Sequence, residues 1–333
     1  MTVSAAPLLE VSDLRVVFRR RGRADVVAVD GVSLTVEASS TVGIVGESGC
    51  GKSVTSLAVL GLLPRRGVEV TGSVRFRGEE LLGRSESALA AIRGRELAMV
   101  FQDPMTSLNP VLTIGRQITE VLERHKSLAG ADARAEAARL LSAVGISDGV
   151  RRLRQYPHQL SGGMRQRVMI AIALACQPVM LIADEPTTAL DVTIQAQILE
   201  LLRRLVIDSS SALVLITHDL GVIAGTAEVV HVMYAGRIVE SASRRELFAR
   251  PRHPYTAGLL ASVPRLDQPR SDALHPIAGS PRDTLPWSSG CAFAPRCPRR
   301  LAECTDGAPA LVADGFGHEL RCINPVPVEV ASP

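Results

Sequence analysis

From Leu9 to Val36 short apolar runs alternate with polar positions, LEVSDLRVVF and then VVAVDGVSLTV, which predicts β structure turning at Asp30-Gly31. Thr41 to Val45 is a compact apolar run that reads as a short buried strand. It leads into a glycine-rich string, and Lys52 to Leu62 then reads as a helix closed by Pro64. Gly72 to Phe76 and Leu97 to Phe101 predict further strands. Ile118 to Arg124 and Ala131 to Val144 carry apolar residues at helical spacing, and Ser161 opens a helix through Ala175; these predict a helical lobe over about 103–175. The strand Val179 to Ala183, the helix Thr193 to Ile207 and the strand Ala212 to Thr217 complete an alternation expected of a parallel sheet. Glu228 to Glu240 predicts two last strands turning at Ala235-Gly236.

From Arg250 onward the composition shifts toward proline, arginine and turn formers, which predicts a main domain over 1–250 and an extension over 251–333. No internal repeat is visible. Hydrophobic residues make up 46% of the chain, yet the longest uninterrupted apolar run, Val168 to Cys176, is nine residues. That is about half of what spans a bilayer. The first residues, MTVSAAPLLEVSDL, lack the pattern of a secretory signal, so a cytosolic-facing protein is expected whose membrane attachment comes through partners. A net charge of +3 argues neither for nor against nucleic acid. Of 37 basic residues only Lys52 and Lys126 are lysines, so a lysine inside the glycine-rich string reads as a chemical requirement. A compact ammonium fits between phosphates where a planar guanidinium does not.

Three strings carry the chemistry. In GESGCGKS, Gly46 to Ser53, glycines at Gly46, Gly49 and Gly51 let backbone N–H groups of the loop (Glu47, Ser48, Cys50 and Val54 among the contacting positions) wrap phosphates. Lys52 neutralises phosphate charge and Ser53 offers a hydroxyl to Mg²⁺. In VMLIADEPTTALD, Asp184 ends an apolar strand, which suits a carboxylate holding Mg²⁺ at the carboxyl edge of a sheet; Glu185 follows it. In LSGGMRQR, Ser161 with the N–H groups of Gly162 and Gly163 forms an anion-binding helix start.

In this order and spacing the three strings resemble the ATP-binding cassette superfamily over roughly the first 240 residues. The resemblance implies an α/β P-loop NTPase fold, with a mixed or parallel sheet core, an antiparallel β subdomain, a helical lobe and a C-terminal cysteine-rich extension. It implies that Glu185 is the base or orienter for the attacking water, that Gln102 in VFQDP reaches Mg²⁺ or water, and that His218 in LITHDL contacts the γ-phosphate. Asp191 in TTALD matches an aspartate that crosses a dimer interface, and Ser161 is expected to face ATP held by the partner's loop. Phe18 is the aromatic residue expected to stack on adenine.

The strings FQDPMTSLNPVLTIGRQI, YPHQLSGGMRQRVMIAIALACQP, HPYTAGLLASVPRLD and GCAFAPRC resemble the oligopeptide/dipeptide/nickel importer branch, from about Leu8 to Ile323. This implies an ATPase that powers a bacterial peptide importer, with nickel or glutathione as alternative cargo. Its expected partners are a second cassette subunit, two membrane permeases and an extracytoplasmic substrate-binding protein, with no nucleic acid. Its expected place is peripheral, on the cytoplasmic face of the membrane. The runner-up is a soluble cassette ATPase of nucleic-acid maintenance or translation; such proteins insert long coiled coils or carry two cassettes, and this chain has neither.

Cys291, Cys297, Cys304 and Cys322 crowd into the tail, which in a reducing cytosol reads as a metal site sooner than as two disulfides. Their gaps of five, six and seventeen residues lack the close pairs usual for zinc. Iron–sulfur, zinc and free thiols remain open on the residues alone, with Cys297-Pro298 favouring iron–sulfur. The resemblance adds a 4Fe-4S cluster in this region.

Overall fold

The computed structural model describes residues 6–188, 190–262, 277–280 and 290–327 of the chain. Residues 263–267 of the HPYTAGLLASVPRLD string and residues 283–289 of the turn-rich stretch lie outside the described residues. The chain divides into two compact units. One is made of residues 1–8, 36–40 and 83–215, the other of residues 9–35, 41–82 and 216–333.

In the first unit, the strands Leu97–Val100 and Met180–Asp184 pair in parallel, Leu97 opposite Met180 and Val100 opposite Ala183. The strand Ala212–Thr217, whose first four residues belong to this unit, lies beside Met180–Asp184 and is tied to it by the Ala212 N–H donating to Val179 O at 2.8 Å. All five side chains of Met180–Asp184 are buried, so the apolar run ends on a carboxylate with no solvated strand face. The unit also holds the helices Ile114–Lys126, Gly130–Ala143, Gly162–Leu174 and Val192–Asp208. Ile114, Ile118 and Leu122 recur at helical spacing and are fully buried, as are Ala133, Ala137 and Leu141 of the next helix. These two helices thus follow the sequence pattern. Two short helices, Glu86–Ile92 and Pro104–Ser107, were not expected; each is capped by a side chain, Ser85 and Asp103 respectively.

The second unit holds two sheets. The antiparallel one has the order Val26–Val36, Leu9–Phe18, Val68–Phe76, Glu79–Glu80. The turn expected at Asp30-Gly31 is not there: both residues lie inside one strand, and the chain reverses instead between Phe18 and Val26. Long-range contacts override the local turn signal. Asp30 accepts from Arg15 at 3.1 Å and Arg237 at 2.9 Å, and its N–H donates to Gly236 O at 2.9 Å. In the other sheet of this unit Thr41–Val45 runs parallel to Val229–Tyr234, which turns back through Ala235 and Gly236 into the antiparallel Arg237–Ser243. Both turn residues have positive φ, 50° and 75°, as a two-residue hairpin requires.

The tail adds to this sheet. Glu240, Ser241 and Ala242 pair with Leu320, Glu319 and His318, and Val312–Ala313 pairs beyond them. A fully buried carboxylate organises the junction: Glu240 accepts from the Arg252 N–H at 2.7 Å and the His253 N–H at 2.9 Å, and is hydrogen-bonded to His318 Nδ1 at 2.8 Å. The His253 side chain caps the helix Pro254–Ala261 by accepting from the Tyr255 N–H at 3.1 Å.

Two histidines of this unit give a stability prediction. Burial pushes His231 and His253 down to about 4, from an ordinary value near 6.5. As pH falls through about 6.5 the unfolded chain binds protons that the folded chain refuses until about 4. Stability is therefore full above that window and is lost across it, by up to about 3 kcal/mol per histidine. Thermal unfolding midpoints should fall steeply from pH 7 to pH 5, and His253→Gln should flatten that slope. A pH-independent midpoint over this range contradicts the assignment.

Candidate functional site

The glycine-rich string folds as a loop between the strand Thr41–Val45 and the helix Lys52–Val59. Gly51 has φ 105° and caps the helix with no side-chain bond, so the first helical N–H groups are not spent on a capping side chain. A Cβ on Gly51 would stand 2.5 Å from Ala28 O, and one on Gly46 would collide with the Met233 carbonyl. Gly49 has open space around it but φ 80°, so there the backbone alone demands glycine. Lys52 is 4% exposed, and its Nζ donates to Gly46 O at 2.8 Å and Glu47 O at 3.1 Å. Ser53 and Val54 are half-buried on the first helical turn, Ser48 is exposed at the loop tip, and burial raises the Cys50 thiol pKa. In the same unit, Phe18 ends its strand half-buried, and His218 is exposed directly after Thr217.

The other unit carries the carboxylates. Asp184 is 3% exposed at the end of its strand. Glu185 has φ 44°, a left-handed backbone that costs a non-glycine residue about 1–3 kcal/mol and is retained mainly at functional sites. Its Oε2 accepts from Gln102 Nε2 at 3.0 Å and from Thr188 Oγ1 at 2.8 Å. The structure thus brings Gln102 to Glu185, residues 83 positions apart. Gln102 donates through its nitrogen, and its amide oxygen is an acceptor. Thr188 went unread in the sequence, although it stands in the DEPTTALD string.

Ser161 caps the helix Gly162–Leu174 by accepting from the Met164 N–H at 3.4 Å. Gly163 packs so closely on the helix Val192–Asp208 that a Cβ would stand 2.9 Å from the Ile194 side chain, whereas Gly162 has room at 3.6 Å from Leu190. Asp191 is exposed and caps Val192–Asp208 by accepting from the Ile194 N–H at 3.0 Å.

The four tail cysteines line one small cavity with His253 and Phe293. Burial raises the Cys291 and Cys297 thiols, and it pushes Cys322 up to about 11, with the other three cysteines adding to the effect. The expected metal centre is not supported by this arrangement: among the described residues no group of three or more His, Cys, Asp or Glu is placed to hold a metal ion.

A strand–loop–helix phosphate cradle, a strand ending in Asp-Glu and a Ser-Gly-Gly helix start in one mixed α/β chain define an ATPase of the ATP-binding cassette class. Comparison with known proteins carries this further. The ABC transporter family matches residues 29–188, and the oligopeptide/dipeptide transporter C-terminal region matches residues 239–304. The oligopeptide transport ATP-binding protein AppD of Bacillus subtilis is 50% identical over 318 residues, covering 95% of this chain and 96% of its own. OppD of Salmonella typhimurium, also an oligopeptide transport ATP-binding protein, is 50% identical over 319 residues, covering 96% and 94%. Among solved structures, a dimeric cassette in a post-hydrolysis state bound to ADP and Pi superimposes with TM-score 0.63 at 27% identity, over 71% of this chain and 99% of that one. The chain belongs to the family of ATP-binding subunits of oligopeptide and dipeptide ABC transporters.

Proposed function

We propose that the chain is the ATP-hydrolysing subunit of an importer for di- and oligopeptides. The observation that carries this is the pairing, in one unit, of the phosphate cradle around Lys52 with the oligopeptide/dipeptide transporter region over 239–304. Relatives named for oligopeptide and dipeptide transport at 50% identity support peptide over nickel or glutathione.

In one unit, the loop Gly46 to Ser53 and Lys52 take the β- and γ-phosphates, Ser53 gives an oxygen to Mg²⁺, His218 contacts the γ-phosphate and Phe18 stacks on adenine. In the other, Asp184 and the Gln102 amide oxygen are oxygen donors of the kind Mg²⁺ prefers. Bound Mg²⁺ neutralises charge on the phosphate oxygens. Glu185, held by Gln102 and Thr188, orients the attacking water and takes its proton as ADP leaves. Ser161, Gly162 and Gly163 complete the site of a second cassette, Asp191 lies at that interface, and hydrolysis is thereby tied to dimer closure.

No helix among the described residues is long and apolar enough to cross a membrane. The reading places the chain peripherally on permease partners at the cytoplasmic face, supplied by an extracytoplasmic binding protein, as the relatives named for peptide transport support. Residues 1–250 act as the cassette and 251–333 as the extension. The chain should sediment with membranes when its permeases are co-expressed and stay in the supernatant without them; membrane-independent association with nucleic acid would support the runner-up instead.

The four cysteines are a finer part of the same reading. Four thiols lining one cavity are the donor type an iron–sulfur cluster takes, and the 4Fe-4S reading rests on that donor set alone. Anaerobically purified protein should be brown with absorbance near ~400 nm, and Cys297→Ser should lose the colour while nucleotide binding persists. Colourless protein with one tight zinc rejects the cluster, and four freely alkylated thiols reject any metal.

A further inference from the structure

Glu47 is the acidic residue of the phosphate loop. It places a carboxylate inside a segment built to receive a polyanion, and that charge repels the ligand unless something cancels it. The cancelling group comes from 249 positions away: Arg296 grips Glu47 with both arms, Nη1 to Oε2 at 2.7 Å and Nη2 to Oε1 at 3.0 Å. This fork on a carboxylate is the strong, directional form of the pair.

Arg296 is itself fixed. Its side chain is 3% exposed, its Nε donates to Ala278 O at 2.8 Å, and its guanidinium lies 5.8 Å from the Tyr234 ring centre and 6.0 Å from that of Phe293. A second tail residue reaches the same loop position. The Glu47 N–H donates to Tyr255 Oη at 2.9 Å, and Tyr255 is fully buried, edge-on to Tyr234 at 4.6 Å. Tyr234 ends the strand whose Met233 carbonyl already abuts Gly46. The loop is thus held at adjacent residues, by its own sheet at Gly46 and by the tail at Glu47. Phe293 and Cys297, which flank Arg296, also line the cysteine cavity.

We propose that Arg296 and Tyr255 are positioning residues of the phosphate loop: they neutralise and turn aside the Glu47 carboxylate and pin the loop, so ATP affinity is set by the C-terminal region. The inference rests on the ATP-hydrolysis reading above and deepens it. The tail then does more than decorate the cassette, since any event that loosens the cysteine lobe loosens the grip on ATP through Arg296.

The test is steady-state ATP hydrolysis against MgATP concentration, with the full-length chain assembled with its permeases in vesicles. Arg296→Ala should raise KM about tenfold, the effect of roughly one uncompensated charge near the surface, with kcat at saturation little changed. Adding Glu47→Gln to Arg296→Ala should bring KM most of the way back, because the repelling charge is gone. A purely structural role predicts no such rescue. Arg296→Lys, which keeps the charge and loses the fork, should give an intermediate KM at an unchanged thermal midpoint; it carries the test if the alanine variant does not fold. An unchanged KM in both Arg296 variants, or a raised KM that Glu47→Gln fails to restore, overturns the inference while leaving the ATPase reading intact. Absence of ATP hydrolysis in the parent assembly overturns both.

Discussion

Glu185→Gln should lower ATP turnover by about 10³-fold, within the range of a lost general base, while MgATP binding stays within a few-fold of the parent. The amide has the size of the carboxylate and can still accept one of the bonds from Gln102 and Thr188, so the local fold survives. It cannot take a proton from water. Binding without hydrolysis should trap closed, ATP-bound dimers, visible by size exclusion in the presence of MgATP and absent with MgADP. Turnover at the parent rate would remove Glu185 from its role. Loss of both binding and turnover would mean that the left-handed backbone at residue 185, and not the proton, needs the carboxylate.

Lys52→Ala should fail at the earlier step. Lys52 is the buried cation of the loop, donating to the carbonyls of Gly46 and Glu47, and its removal leaves triphosphate charge facing neutral amides. The expected loss in MgATP affinity is about 10²-fold or more, in keeping with the removal of one partner from a buried charge pair. Fluorescent-nucleotide titration measures it. The pair of variants separates the two halves of the chemistry: one binds and does not hydrolyse, the other does not bind. Affinity within threefold of the parent in Lys52→Ala would contradict the phosphate-cradle assignment.

Both variants fall on residues legible in the sequence, for a physical reason. A loop that wraps phosphates needs glycines at fixed offsets, and a strand seldom ends in two carboxylates unless they face a cation, so GESGCGKS and IADEP announce themselves locally. The strands and long helices were equally legible, because the spacing of apolar residues is local too. Asp30-Gly31 was misread since its turn signal is outvoted by Arg15 and Arg237, the latter 207 positions away. The tail strand His318–Leu320 was missed for a similar reason: three residues carry little periodicity, and its place is fixed by Glu240 and His318 across 78 positions. Arg296 and Tyr255 stand in the APRC and HPY strings, where nothing local gives either a role. No local pattern says that an arginine beside a cysteine will reach a glutamate in the phosphate loop. The cysteines read as one metal site in the sequence; they do come together around one cavity, but no group placed to hold a metal ion is found among the described residues.

The central claim is that this chain spends ATP to import peptides, and transport measures it most directly. The chain, its two permeases and a sister cassette or second copy are reconstituted in vesicles with MgATP on the cassette side and loaded binding protein on the other. The account predicts that di- and oligopeptides accumulate and stimulate ATP hydrolysis together, and that Glu185→Gln abolishes both. Hydrolysis stimulated by nickel or glutathione and indifferent to peptide, with no peptide accumulation, would contradict it.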